Sequence, residues 1–185
     1  MVSKSIIPIA LFLLRATCLF AQTAADTTDK RFHDDLLDHL VGKWHVNATV
    51  YGQKFTLDRE AEWVLNHQYL RIHEKSREVI PWLKTPFERT IFIGYNHLSK
   101  RYLVYELTVH GGDGPIKPEG FSYGERTGNE LKVVLTNGSD LVVNQRFTWD
   151  PGSGSWRFHG RRVIDGKEQE PHVDQRATRV TTSSK

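Results

Sequence analysis

LVGKWHVNATVYG, residues 40–52, is the stretch of sequence that decides the fold. Two apolar residues precede Gly42, and from Trp44 onward apolar and polar residues alternate as far as Gly52. Alternation with a period of two is typical of a β-strand that has one buried and one exposed face. Glycines bound the run at both ends, where strands usually begin and end in turns. The stretch therefore predicts a first strand over 43–51.

A short amphipathic helix is predicted immediately before this strand. Asp34 and Asp35 would lie in its first turn, where the positive end of the helix dipole favours carboxylates. Gly42 would end the helix, because glycine is common just beyond helix C-termini. The apolar residues that recur at helical spacing are Phe32, Leu36, Leu37, Leu40 and Val41.

Beyond Gly42 the sequence predicts strands separated by turns. Pairs such as Asn137-Gly138 and Asp165-Gly166 favour tight hairpins, and short connections make consecutive strands antiparallel neighbours. We therefore predict an all-β fold, a single antiparallel up-and-down barrel of about 8–10 strands with one short N-terminal helix, because closure removes exposed sheet edges. A two-sheet sandwich with a packed core is the alternative. The strands are predicted at 43–51, 54–65, 68–77, 87–95, 101–109, 118–124, 129–136, 140–149, 155–164 and 167–180.

Two longer connections, 79–86 and 110–117, contain proline or glycine and are predicted to lie at the mouth of the barrel. A barrel of this size leaves internal space beyond what its own side chains fill. The sequence thus predicts an interior cavity with these two connections at its entrance.

Four predicted strands each place one polar side chain on an otherwise apolar face. A buried, unpaired Arg is costly, so such groups need a partner, water or a ligand. One interpretation is a cavity in which these groups bind a carboxylate-bearing ligand. The other is that they reach solvent near the barrel ends, or pair with Glu60, Glu62 or Glu106. The four residues are Arg59, Arg89, Gln145 and Arg162.

Aromatic side chains are predicted to complete the walls of this cavity, although core packing alone explains most of them. They are Trp44, Trp63, Tyr69, Tyr95 and Tyr105.

The sequence favours no particular catalytic chemistry. There is no G-x-S-x-G motif, and the nine histidines include no closely spaced ligand pair such as H-x-H or H-E-x-x-H. We therefore predict no catalytic residue, no metal site and no cofactor. His159 and His172 lie on late strands and are the candidate axial ligands if the barrel binds haem.

Residues 1–21 are interpreted as a secretory signal peptide, with Lys4 at the start, an apolar run over 6–20 and a small residue, Ala21, at the cleavage point. An uncleaved membrane anchor and a lipid-modified Cys18 are the alternatives. We predict a secreted or periplasmic protein with a flexible leader at 22–30, a single barrel domain at 31–180 and a disordered tail at 181–185.

The charge balance excludes some partners. The chain has 25 basic and 22 acidic residues, and two of the basic ones, Lys4 and Arg15, would leave with the signal. The remaining arginines are dispersed, so we predict neither nucleic-acid binding nor membrane binding after signal removal. A small molecule is the predicted partner, and the sequence does not indicate an oligomeric state.

With the helix, Gly42-x-Trp44 and the meander in place, the chain resembles the lipocalin and calycin barrels. It is most similar to a bacterial family of secreted, lipocalin-like domains of unknown function. The segments that carry the resemblance are Leu-x-Gly-x-Trp at 40–44, Gly-Tyr-Asn at 94–96 before Tyr102, and Gln-Arg-Ala-Thr-Arg at 175–179, over roughly residues 36–179. The family pattern has Asp at the position of Asn96.

Family resemblance implies a barrel with an internal pocket and no established activity. A related branch, the nitrobindin-like haem barrels, starts with G-x-W-x-G-x-G, and this chain lacks the two later glycines. We therefore favour an exported barrel that binds a small, partly apolar, carboxylate-bearing ligand over an enzyme on the same barrel. A haem barrel and a filled, partner-binding barrel are the remaining alternatives.

Overall fold

A computed structural model describes residues 31–109, 122–137 and 141–181, which form one short helix and a closed antiparallel barrel of ten strands. The helix, α1, spans Asp35–Asp38. The strands are β1 Gly42–Val50, β2 Gln53–Val64, β3 Tyr69–Ile80, β4 Thr85–Asn96, β5 Arg101–Thr108, β6 Ser122–Thr127, β7 Glu130–Asn137, β8 Leu141–Asp150, β9 Ser155–Ile164 and β10 Lys167–Arg179.

Each strand pairs with its neighbours in the sequence, and β1 pairs with β10 to close the sheet. Trp44 lies opposite Arg179 across this closing seam, and Val50 lies opposite Val173. The predicted up-and-down barrel is thus confirmed, and the two-sheet sandwich is wrong. Closure satisfies the hydrogen-bonding groups that an open ten-strand meander would leave exposed along two edges.

Tight turns connect the strands at both ends of the barrel. Tyr51 and Gly52 have φ values of 47° and 79°, and Asp165 and Gly166 have 51° and 73°. Two consecutive left-handed residues give the turn whose twist matches a hairpin, and Asp-Gly is a preferred pair for it.

The connection predicted at 79–86 is shorter than expected. Val79 pairs with Pro86 and Ile80 pairs with Thr85, so only the four residues 81–84 form the turn. A register shift lies between Lys75 and Val79 on the same strand. A proline close to the end of a strand is compatible with pairing, because a missing N–H there costs little.

Helix α1 is shorter than the apolar pattern predicted, but its start is as expected. Asp34 caps it, accepting a hydrogen bond from the Leu37 backbone N–H at 2.8 Å. Leu36 and Leu37 are fully buried, and the backbone N–H of Phe32 donates to the carbonyl of His67 in the β2–β3 turn. The helix therefore closes one end of the barrel.

The barrel interior is layered from this closed end upward. Aromatic and aliphatic side chains pack against α1 at this end, a layer of charged side chains lies above them, and a cavity occupies the opposite half. The outer face carries ion pairs such as Arg77–Asp58 and Arg157–Asp174. No helix in the described ranges has the length and apolarity needed to cross a membrane.

The predicted signal peptide at 1–21, the leader at 22–30 and the loop at 110–117 lie outside the described residues, as does all of the predicted tail except residue 181.

Candidate functional site: an interior cavity above a charged layer

The cavity has a volume of about 310 Å³. Ligand pockets of proteins usually measure about 300–1,000 Å³, so this one suits a small molecule. Inward-facing residues of several strands supply its apolar walls, because alternation turns every second side chain of a strand toward the barrel axis. The apolar residues that line it include Ala48, Leu57, Ile80, Phe87, Phe158 and Val173.

The mouth of the cavity lies at the end opposite α1. Trp82 and Leu83 of the turn 81–84 line it on one side, so this connection lies at the mouth as predicted. Tyr51 lines it on another side, where its hydroxyl accepts a hydrogen bond from Arg162 Nη2 at 2.7 Å. The Arg162 guanidinium also lies 5.5 Å from the centre of the Tyr51 ring, a cation–π contact that fixes the ring at the rim.

Below the cavity, three side chains form a continuous row across neighbouring strands. Arg59 on β2 lies opposite Glu74 on β3, and Glu74 lies opposite Arg89 on β4. Arg59 Nε donates to Glu74 Oε1 at 2.5 Å, and Arg89 Nε donates to Glu74 Oε2 at 2.5 Å. Both oxygens of one carboxylate are thus occupied by the two guanidinium groups.

Two further side chains extend this row. Arg59 Nη2 donates to Gln175 Oε1 at 2.8 Å, which ties β2 to β10 across the closing seam. Arg89 Nη1 donates to Glu106 Oε1 on β5 at 3.3 Å. We refer to Arg59, Glu74, Arg89 and Glu106 as the charged layer. All four are buried, with Glu74 completely inaccessible and the others exposed by 7% or less.

The electrostatics of the charged layer follow from its pairing. Burial alone would raise the pKa of Glu74, but Arg59 and Arg89 outweigh it and hold that pKa at about 2. Burial alone would lower the pKa of Arg89, and the carboxylates of Glu74 and Glu106 raise it instead. Glu74 and Arg89 are therefore charged at neutral pH, and the charged layer as a whole pairs two guanidinium groups with two carboxylates.

Four residues of the cavity lining keep a buried polar atom without a hydrogen-bond partner among the described residues. One is His172, through Nδ1 on the upper wall, and the other three lie at the polar end of the cavity, through Arg89 Nη2, Glu106 Oε2 and Gln145 Oε1. Arg89, Glu106 and Gln145 are each at least nine-tenths buried. A buried polar atom that makes no hydrogen bond lowers the stability of the folded protein by about 1–3 kcal/mol. Such an atom therefore needs an explanation, and a bound ligand or water that supplies the missing hydrogen bond is one. The polar end of the cavity thus offers one N–H donor and two oxygen acceptors.

His172 adds a titratable group to the upper wall. It lines the cavity, its ring centre lies 5.7 Å from that of Tyr51, and a Cβ on Gly160 would come within 3.2 Å of it. Burial, followed by the charge of Arg162, lowers its pKa below the ordinary value. The ring is therefore neutral at physiological pH, which suits a position beside an apolar ligand.

Of the nine residues predicted to line the cavity, the four polar ones lie in it or next to it. Arg89 and Gln145 line it, and Arg59 lies directly below it in the charged layer. Arg162 lies exposed at its rim. Their role as ligand contacts stays a prediction.

The predicted aromatic residues lie elsewhere. Trp44, Trp63 and Tyr95 pack at the closed end of the barrel, where Phe32 contacts Trp63 and Tyr95 and the Trp44 indole N–H donates to Leu40 O at 2.7 Å. Tyr69 and Tyr105 alternate with buried inward neighbours and so lie on the outer face. Tyr69 there covers Gly94.

The two histidines considered as haem ligands lie on opposite faces of the sheet. His172 lines the cavity, whereas His159 alternates with the inward-facing Phe158 and Gly160 and lies 3.5 Å from Arg146 Nη1 on the outer face. No single haem could therefore contact both. In the part of the chain that the structure describes, no three His, Cys, Asp or Glu side chains are grouped so that they could hold a metal ion.

Sequence reasoning missed Glu74, Ser76 and Gln175, which complete the inward polar set. Glu74 and Ser76 continue the alternation of the inward-facing Leu70 and Ile72 on β3, so the alternation in the sequence was sufficient to predict that they face inward. Glu106 was named as a possible partner for the arginines and does pair with Arg89.

A wider groove of about 620 Å³ lies outside the closed end of the barrel, along α1. Its buried polar groups are already paired with one another. Asp34 accepts hydrogen bonds from the Tyr102 hydroxyl and from Arg126 Nη1, and Asp35 binds Arg126 as well. These contacts hold the helix against the barrel, so the interior cavity is the better candidate for a binding site.

No model of a known protein family matches the chain, and no curated protein is significantly similar to it.

Proposed function

We propose that this protein is an exported, lipocalin-like barrel that binds one small, partly apolar molecule in its interior. The observation that carries the proposal is the cavity itself, which combines apolar walls with polar atoms of Arg89, Glu106 and Gln145 that lack partners among the described residues. Pockets that bind small molecules have this composition, in which apolar walls supply affinity and a few polar groups fix orientation. Export is supported by the sequence of residues 1–21.

The carboxylate expected on the ligand was inferred from arginines without known partners. Both arginines form ion pairs within the protein: Arg59 with Glu74, and Arg89 with Glu74 and Glu106. The arginines therefore do not require a ligand carboxylate, and the apolar part of the proposed ligand is the better supported part.

An enzyme on the same barrel is the second candidate, and two residues favour it. Glu106 has one oxygen without a partner among the described residues, and His172 is a neutral imidazole; both line the cavity. A carboxylate and an imidazole on one cavity are the usual groups for proton transfer. Turnover of a molecule released from the cavity would support this candidate over simple binding.

Native mass spectrometry of the protein purified from its own host tests the binding function. Ala48 faces the cavity from β1, so Ala48→Phe would place a ring inside it, whereas the adjacent Asn47 is exposed on the outer face and Asn47→Phe is the matched control. We expect a retained mass of one small molecule on the wild type and on Asn47→Phe but none on Ala48→Phe. The same added mass on all three proteins, or on none, would count against an interior ligand.

A further inference from the structure

We infer that the polar end of the ligand is an uncharged group that both donates and accepts hydrogen bonds, with a primary carboxamide as the closest match. This inference rests on the proposed function, since it concerns the head group of a molecule bound in the same cavity. It follows from the charge balance of the charged layer and from the three atoms at the polar end of the cavity that lack partners among the described residues.

The charge balance argues against an ionic head group. The charged layer contains two guanidinium groups and two carboxylates, and every ion pair among them is buried. A ligand carboxylate would bring a third negative charge beside Glu106, and both guanidinium groups of the charged layer already pair with carboxylates. A ligand ammonium would bring a third positive charge beside Arg89. Either charge would lose its hydration without gaining a matching partner.

The hydrogen-bonding pattern specifies the head group further. Arg89 Nη2 can only donate, and Glu106 Oε2 is the free oxygen of a carboxylate that pairs with Arg89 through Oε1, so it accepts. A head group that satisfies both must accept one hydrogen bond and donate another. A carboxylate has no donor and an ammonium has no acceptor, so each can satisfy only one of the two atoms.

Gln145 adds a second acceptor, because its Oε1 is also buried without a partner among the described residues. A primary carboxamide has one oxygen acceptor and two N–H donors, which matches one donor and two acceptors. A hydroxyl matches the pair formed by Arg89 and Glu106 but leaves one acceptor unused. Rotation of the Gln145 amide exchanges its oxygen and nitrogen, so the ranking of carboxamide over hydroxyl depends on Gln145, whereas the exclusion of ions does not.

The experiment uses probes that differ only in the head group. The neutral dye N-phenyl-1-naphthylamine reports on occupancy by its fluorescence, and octanamide, 1-octanol, octanoate and octylammonium displace it at pH 8. We expect octanamide to bind best, 1-octanol next, and both ions at least about tenfold more weakly than octanamide, because each ion leaves a buried group unpaired.

Two variants separate charge from hydrogen bonding. Glu106→Gln preserves shape but gives the charged layer a net positive charge, so the affinity ratio of octanoate to octanamide should rise about tenfold. Gln145→Leu removes an acceptor without changing charge, so octanamide should weaken several-fold while the ratio of octanoate to 1-octanol stays within about twofold. Circular dichroism establishes that each variant is folded, and if Glu106→Gln is not, the wild-type ranking and Gln145→Leu decide the question.

The possible results point to different failures. Octanoate that binds the wild type as tightly as octanamide, while the dye binds and is displaced, overturns the head-group inference and leaves interior binding intact. A wild type that binds neither the dye nor any of the four compounds overturns the proposed function, and this inference with it.

Discussion

Glu74 lies directly opposite Arg89 on the neighbouring strand and accepts its Nε–H at 2.5 Å, while its other oxygen binds Arg59. One carboxylate at the middle of the barrel thus links three strands. Removing one partner of a buried ion pair is strongly destabilising, because the remaining charge is left without water and without a counter-charge. The position of Glu74 therefore makes it central to both the stability of the barrel and the polarity of the cavity above it.

We predict that Glu74→Gln lowers the free energy of unfolding by about 3–5 kcal/mol, because it leaves two buried guanidinium groups with one carboxylate. Urea unfolding measures this change. Glu62→Gln is the matched control on the outer face, where Glu62 pairs with Arg71 and about half of each side chain is exposed. That control should cost less than about 1 kcal/mol. Equal losses for the two variants would show that burial of the charged layer does not matter.

The same carboxylate predicts a specific dependence of stability on acid. The pKa of Glu74 is about 2 in the folded barrel against an ordinary value of 4.5. A carboxylate whose pKa is lower in the folded state stabilises the folded protein. This contribution is complete at a pH above the ordinary pKa, and it disappears as the pH falls toward the pKa of the folded protein. It corresponds to roughly 3 kcal/mol.

The measurement compares wild type with Glu74→Gln across this range. The difference between their free energies of unfolding should shrink by about 3 kcal/mol between about pH 5 and pH 2, because Gln does not titrate. A difference that stays constant over this interval contradicts the account of Glu74 as a charged group in the folded barrel.

Two adjacent aspartates at the start of α1 are predicted to differ sharply. Asp34 is buried, caps the helix and accepts from the Tyr102 hydroxyl, so Asp34→Ala loses the cap and leaves a buried hydroxyl unpaired. We expect a loss of about 2–4 kcal/mol. Asp35→Ala removes an exposed partner of Arg126, so its loss of stability should be much smaller than that of Asp34→Ala. Thermal unfolding of the two variants provides the comparison, and equal melting temperatures would be inconsistent with a helix held by Asp34.

The strands and the closed topology could be predicted from the sequence because both depend on local signals. Alternation in stretches such as 43–51 identifies strands, and pairs such as Asp165-Gly166 identify the hairpins between them. Short connections then leave few topologies other than a meander. The length of the 81–84 turn was mispredicted because a proline marks both loops and strand ends, and sequence alone does not distinguish these two positions.

The composition of the site was only partly predictable. Alternation places Arg59, Arg89 and Gln145 inside, and the structure has them there. Which partner each one meets depends on the register between strands, and one residue of shift turns an inward side chain outward. The pairing of Arg59 and Arg89 with Glu74 therefore became visible only in three dimensions, and it altered the expected chemistry of the ligand.

Aromatic residues were the least informative class. Trp63 and Tyr95 are large and apolar enough for a ligand wall, yet they pack around Phe32 at the closed end. Residue type alone cannot distinguish an aromatic side chain that lines the cavity from one that packs at the closed end of the barrel, because both bury the same kind of apolar surface. Their height along the barrel axis decides the question, and that height follows from where α1 closes the barrel.

Fluorescence titration with N-phenyl-1-naphthylamine tests most directly whether the interior of the barrel is a binding site. Ala48→Phe fills the cavity from β1, and Asn47→Phe makes the same change on the outer face of the same strand. We predict saturable binding of one dye molecule by the wild type and by Asn47→Phe, with at least about tenfold weaker binding by Ala48→Phe. Equal binding by all three proteins, or no saturable binding by the wild type, would contradict the account.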